Sequence, residues 1–296
     1  MNDLDFSDSS SYRNAESKYT NSNGEELDLN GDGTVEGIKQ ELTTGNGWMP
    51  IGCQITEEGV TQSYEVHFGG IFDGQGHTIK NLYSLGGKIG GTYYTASGLF
   101  GKTIGARIVN LTVTGELKNG CVGGIVGYAR DTYIKNCTNN CTLSSDSPSG
   151  GIIGFIQGGT EYTYILGCTN NGNTSTGSTS YHGGIVGKAQ GSKIRIVNCC
   201  NNGNIYGDGY ETAGIIGQIE GSSAVQLEKL TNNGEIIARE AAGIVQQIKG
   251  CSERILIKDI ENNGIIGTIS TYNSDHSGGI IGDVHRIFRN SISKKC

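Results

Sequence analysis

One short stretch of this chain gathers enough oxygen-bearing side chains to hold a cation. Asp28, Asn30, Asp32, Thr34 and Glu36 fall within DLNGDGTVE. Side-chain oxygens at loop positions 1, 3 and 5, with Gly33 at position 6 for the sharp turn, make the pattern of an oxygen cage for calcium. Position 12 is Lys39, where a bidentate carboxylate belongs, so Glu36 or Glu41 would have to substitute. The competing reading is a polar Asx-turn loop. A bound calcium here would be structural, ordering the N-terminal segment.

A second candidate is the pair Asp73 and His77 in FDGQGHTI, readable as an acid and a base. Its structural reading is stronger. Asp73-Gly74 and Gln75-Gly76 make a tight corner, after which Ile79 returns to the core. The string ASGLFGKT at 96–103 matches a loose nucleotide-binding loop, but such a loop needs a strand before it and a helix after it. Here its glycines belong to a repeated block, so nucleotide binding is not expected. No HExxH spacing joins the histidines, and no G-x-S-x-G elbow is present.

Tyrosine is frequent, at 14 against one Trp and six Phe. Several tyrosines fall in strand ends or in polar loops such as 173–182 and 269–277. Tyr181, His182, Tyr206, Tyr210 and Tyr272 are therefore the candidate ligand-binding residues, since exposed rings can stack on sugars or anchor a protein partner. Covering strand edges is the plainer role for such rings.

What must position these residues is a repeat. The doublet Asn-Asn recurs at 139, 170, 201, 232 and 262, in steps of 31, 31, 31 and 30. Between doublets stands a second block, GLFG at Gly98, then GIVG or GIIG at Gly124, Gly151, Gly184, Gly214 and Gly279, with GIVQ at Gly243. Two motifs sharing one period describe a stack of units, each burying its apolar face against its neighbours.

Composition agrees. Gly is 50 of 296 residues and Pro only two, without a G-X-Y period, which excludes collagen. Net charge is −7 with no basic stripe to neutralise phosphates, so nucleic acid is not an expected partner. No window of about 20 apolar residues is present to insert in a membrane. The N-terminus MNDLDFSDSSSYRN is not a signal peptide. Nine cysteines cannot all pair internally. Cys137, Cys168 and Cys199 share one repeat position with Leu230, which predicts a buried apolar ladder rather than disulfides or a metal site.

Within the unit from Gly184, three short β-type runs are expected, Gly184–Lys188, Lys193–Cys199 and Asn204–Tyr206. Ile194, Ile196 and a residue near Asn198 are predicted to face inward. Nothing shows a sustained helical period. Three strands per coil predict a parallel β-helix, rising roughly 34 Å over seven repeats. The Asn doublets suit corners, and their amides can bond from coil to coil as a ladder. Gly172, Gly203, Gly234 and Gly264 follow the doublets and are expected to supply a positive φ there.

The segments GWMPIG at 47–52, GGIFDGQGHTIKNLY at 69–83, SGLFG at 97–101 and VNLTVTG at 109–115 resemble GLUG-motif proteins, which are secreted or surface-anchored bacterial proteins. The resemblance covers about residues 47–296. It implies a right-handed parallel β-helix and an extracellular or cell-surface location. The repeats predict a single solenoid of about seven to nine coils, and the short segment after the block at Gly279 reads as an incomplete coil, which predicts membership of a longer repeat protein. Residues 1–46 would be a polar N-terminal cap and residues 47–296 the repeat array. Such repeats are usually the non-catalytic part of their proteins. The expected function is thus a non-catalytic module that binds carbohydrate or a host or cell-surface protein, or acts as a spacer. The alternative is a polysaccharide lyase or glycoside hydrolase built on the same β-helix.

Overall fold

The computed structural model describes residues 4–5, 48–53, 66–89, 95–177, 181–252, 254–269, 276–285 and 292–293. Among them every element is a β-strand, and the strands wind into a parallel β-solenoid of about six turns. All pairings are parallel except the small hairpin of Gly87–Lys88 with Thr95–Ser97. At a strand spacing of about 4.8 Å, six steps rise about 29 Å.

The unit from Gly184 has four strands where the sequence predicts three. The unit from Gly184 contributes Val186–Gln190, Lys193–Asn201 and Ile205–Gly207, close to the expected runs. The fourth is the short Glu211–Ala213, paired with His182–Gly183 below and Glu240–Ala242 above. Two or three residues are too few to show a period of two, so this column is silent in the sequence.

Inward positions are filled by stacks of aliphatics. Ile134, Ile165, Ile196, Leu227 and Ile257 pair in one line from turn to turn, the first four fully buried. Each such side chain contributes about 1.5–3 kcal/mol by leaving water. The predicted inward residue near Asn198 is Cys199. Asn198 itself adopts φ 56°, a left-handed kink that shifts the alternation by one residue. Asn110, Asn136, Gly167, Lys229 and Asp259 make the same kink in their turns. Cys137, Cys168, Cys199 and Leu230 then stack behind it as the expected buried ladder, and every described cysteine is a free thiol.

The two sequence motifs share a period because they pack against each other. The first residue of each Asn doublet points inward. A Cβ on Gly124, Gly151, Gly184, Gly214 or Gly243 would overlap the amide of Asn139, Asn170, Asn201, Asn232 or Asn262 respectively. Those amides form the expected ladder. Nδ2 of Asn139 donates to Oδ1 of Asn170, and the series continues through Asn201 and Asn232 to Asn262, each step 2.8 Å. The second residues make an exposed ladder of opposite polarity, Asn171 donating back to Asn140 and Asn202 back to Asn171, both at 2.8 Å.

The glycines after the doublets correct the expectation made for them. Gly172, Gly203, Gly234 and Gly264 do not adopt a positive φ. Gly is required there by close approach, since a Cβ on Gly203 would overlap the carbonyl oxygen of Gly172 one turn below.

Candidate functional site

The residue that follows each GIVG-type block stands on the seven-stranded sheet running from Phe100–Ile104 to Ile281–His285, on the face opposite the core residues Ala129, Ile156, Ala189, Ile219 and Ile248; Lys102, Phe155, Lys188 and Gln218 are nonetheless buried there, under neighbouring side chains. In chain order these residues are Lys102, Tyr128, Phe155, Lys188, Gln218, Gln247 and Asp283, paired in line through every turn. Two residues further along, Gln190, Glu220, Lys249 and His285 make a second outward line.

A third line flanks the first. Glu211 pairs with Glu240. Tyr181 precedes His182 as Glu211 precedes Thr212, and His182 pairs with Thr212, so Tyr181 lies in line with Glu211. The bridge between Ala242 and Gly278 brings His276 into line above Glu240. Together the three lines form a strip of aromatic, amide, ammonium and carboxylate groups, spaced by one strand per turn.

The strip is electrostatically knit. Lys188 Nζ lies 4.3 Å from the centre of the Tyr181 ring and 2.8 Å from Glu220 Oε2. Lys249 Nζ approaches the other Glu220 oxygen at 3.5 Å, and Gln190 donates to Glu220 at 3.2 Å. The hydrogen bond from Lys188 holds the Glu220 carboxyl below its ordinary range. Glu211 goes the other way: burial raises it first, with the Glu240 charge adding to the effect. Gln218 donates to Gln247 at 2.6 Å, and its own Oε1 is buried without a partner. Toward the lower turns the strip becomes aromatic, with Tyr128 edge-on to Phe155 at 5.5 Å.

Of the sequence-predicted ligand residues, Tyr181 stands at the edge of this strip. Tyr206 and Tyr210 lie on the adjacent corner, 40% and 42% exposed. Tyr206 donates to Glu235 at 2.7 Å, and Arg239 Nη1 donates to the Tyr210 hydroxyl at 2.7 Å. Arg239 also forks onto Asp208 and holds that carboxyl below its ordinary range. His182 is a correction. It faces the interior, fully buried, with Nδ1 2.7 Å from Ser149 Oγ, and burial lowers its pKa to about 3. A ligand outside the solenoid does not reach it. Tyr272 and the cage residues Asp28, Asn30, Asp32, Thr34 and Glu36 lie outside the described residues.

Asp73 behaves as the corner reading requires. Its Oδ1 accepts from the Gln75 amide at 2.9 Å and from Asn110 Nδ2 at 3.0 Å, and these bonds lower its pKa. Gln75 and Gly76 both take positive φ, and the His77 amide closes the turn on Gly74 at 2.8 Å.

Sequence reasoning missed Lys188, Glu211, Gln218, Glu220 and Glu240. A signal existed for part of the strip: immediately after an almost fixed four-residue block, the next residue changes class at four of the six steps. Comparison with known proteins finds no matching family model, no matching curated protein and no matching solved structure. No described helix is long and apolar enough to cross a membrane.

Proposed function

We propose that the chain is a non-catalytic binding module whose outer strip receives an extended carbohydrate, the Tyr206–Tyr210 corner adding a second contact. The observation that carries this reading is the accessible part of the strip, in which half-buried Tyr181, Glu211, Glu240, Glu220 and Gln247 and exposed Lys249 stand at single-strand spacing over the buried Lys188 and Gln218. Planar amides and carboxylates match the hydroxyls of a polymer lying along the solenoid axis, and an aromatic ring offers its face to the apolar side of a sugar. The quoted GLUG-like segments support a setting on a bacterial surface or in a secreted protein, within a longer array that also presents host-protein partners or acts as a spacer. In the same reading the solenoid winds right-handed through seven to nine coils, residues 1–46 cap it, and the DLNGDGTVE loop holds a structural calcium.

A second reading is a polysaccharide-cleaving enzyme, and Glu211 favours it. A carboxyl whose pKa burial raises, on the same strip as a carboxylate whose pKa a lysine lowers, is a separation of the kind general acid–base chemistry uses. One experiment separates the two. The chain is run by affinity electrophoresis against a polysaccharide panel, and the same glycans are assayed for new reducing ends or unsaturated products. Retardation without turnover, weakened about tenfold by Gln247→Ala, upholds the binding module. Turnover abolished by Glu211→Gln replaces it with the enzyme, and neither retardation nor turnover removes carbohydrate as the ligand.

A further inference from the structure

The uppermost turn of the strip carries a cluster that the sequence spacing of its histidines does not announce. One ligand atom from each of His276, Asp283 and His285 lies within 4.8 Å of the others. The geometry points to a binding site for a zinc-class divalent cation, with His276, Asp283 and His285 as ligands and Glu240 as the outer partner of His276.

Three observations converge. First, both imidazoles aim at one carboxylate oxygen. His276 Nε2 lies 4.0 Å from Asp283 Oδ2 and His285 Nε2 closes on the same atom, yet Oδ2 is buried and forms no well-directed hydrogen bond. Two imidazoles converging on one buried carboxylate oxygen make a donor set that a divalent cation can bridge. A four-coordinate zinc with bonds of about 2.0–2.2 Å has ligand atoms about 3.4 Å apart, so the wider separations of the cluster would close while His285 draws back from Asp283. The exposed histidine side chains supply that movement, and Asp283 is the anchored member.

Second, the other nitrogen of His276 is already engaged. Its Nδ1 stands 3.4 Å from Glu240 Oε1. An imidazole bound through Nε2 donates its remaining N–H to a carboxylate in most metal sites, which fixes the tautomer and strengthens the ligand.

Third, the repeat breaks its own rule to hold this cluster. Position 246 is Gln where other units have Gly, turning GIVG into GIVQ. Gln246 is fully buried, and its Nε2 donates to Glu240 Oε2 at 3.2 Å and to the His276 carbonyl at 2.9 Å. That single side chain therefore positions both the outer carboxylate and the backbone of a ligand. Two imidazoles with one carboxylate suit zinc and its neighbours better than calcium, which prefers oxygen alone. A fourth position remains for water or for a donor on a bound ligand.

The test is a titration of the chelator-treated full chain with zinc chloride by calorimetry, repeated with cobalt(II) followed by visible absorption. One zinc per chain and the intense visible bands of four-coordinate cobalt are expected. Asp283→Asn should lose at least tenfold in affinity, and His276→Ala/His285→Ala should lose uptake altogether. Glu240→Gln should weaken binding about tenfold at unchanged stoichiometry. No uptake by the unaltered chain overturns the site. So does uptake of equal affinity in Asp283→Asn, a variant that preserves side-chain shape and decides the matter even if the double variant misfolds. Glycan retention is not a readout here, so the site stands or falls separately from carbohydrate binding.

Discussion

The inner asparagine column and the outer strip are built on the same turns at the same spacing, yet they obey opposite rules. Asn139, Asn170, Asn201, Asn232 and Asn262 are identical, because each amide must donate upward, accept from below and lie on a glycine of the facing block. Lys188, Gln218, Gln247 and Asp283 occupy equally regular positions, yet only the two glutamines share a side chain. A lattice that must close on itself tolerates one residue. A face that need not repeat one hydrogen bond from turn to turn is free to vary, and variation at a fixed lattice point marks where binding chemistry can be placed.

The sharpest way to break this contrast is Gly203→Ala. The added methyl overlaps the Gly172 carbonyl, which is backbone and cannot rotate away, so a loss above about 3 kcal/mol is expected in urea denaturation. A loss below about 1 kcal/mol would mean the corner is slack and the column is not a rigid lattice.

The two asparagine ladders give a finer comparison. Asn201→Ala strands the buried Asn170 amide, Asn232 oxygen and Gly203 carbonyl, at a cost of about 3 kcal/mol. Asn202→Ala removes bonds of the same 2.8 Å length on the exposed side, where water replaces them, and should cost under about 1 kcal/mol. Equal losses from denaturation midpoints would show that burial is not what separates the ladders.

His182 tests the interior by pH. It stays neutral when folded because burial lowers its pKa to about 3, whereas an unfolded histidine titrates near 6.5. Its contribution is complete above about pH 6.5. Below that, only the unfolded chain takes up the proton, so stability falls by about 1.4 kcal/mol per pH unit, or about 2 kcal/mol by pH 5. Equilibrium denaturation at stepped pH should show this slope in the unaltered chain and lack it in His182→Gln. An unchanged slope in that variant would place the proton uptake elsewhere.

The smallest effect is expected on the strip. Glu211→Gln removes a carboxyl whose ionisation burial opposes, so thermal stability should stay within about 0.5 kcal/mol. Its consequence should appear in glycan retention or turnover instead. A loss of stability as large as that of Asn201→Ala would make Glu211 part of the lattice.

The repeat, the all-β class, the asparagine ladder and the buried cysteine stack were legible in the chain. They depend on residues that return every turn, and a period survives any local uncertainty about where a strand begins. The corner at Asp73–Gly76 was legible too, from Gly and Asx chemistry that acts over four residues. His182 was misread because it neighbours an exposed loop. In a solenoid, one residue along the chain separates the outside from the inside, and the polar sequence around it does not say which.

The sequence by itself determined that units of about 31 residues must stack, since neither the glycine block nor the Asn doublet has a partner within its own local segment. Only the tertiary structure decided why glycine follows four of the five doublets, supplying close approach instead of a left-handed backbone. It also decided which residues meet across turns. Glu211 and Glu240 lie 29 positions apart, and His276 meets Glu240 across 36. Those distances vanish only when the turns are laid on one another, and the register that does so is set by the buried column, far from the residues it brings together.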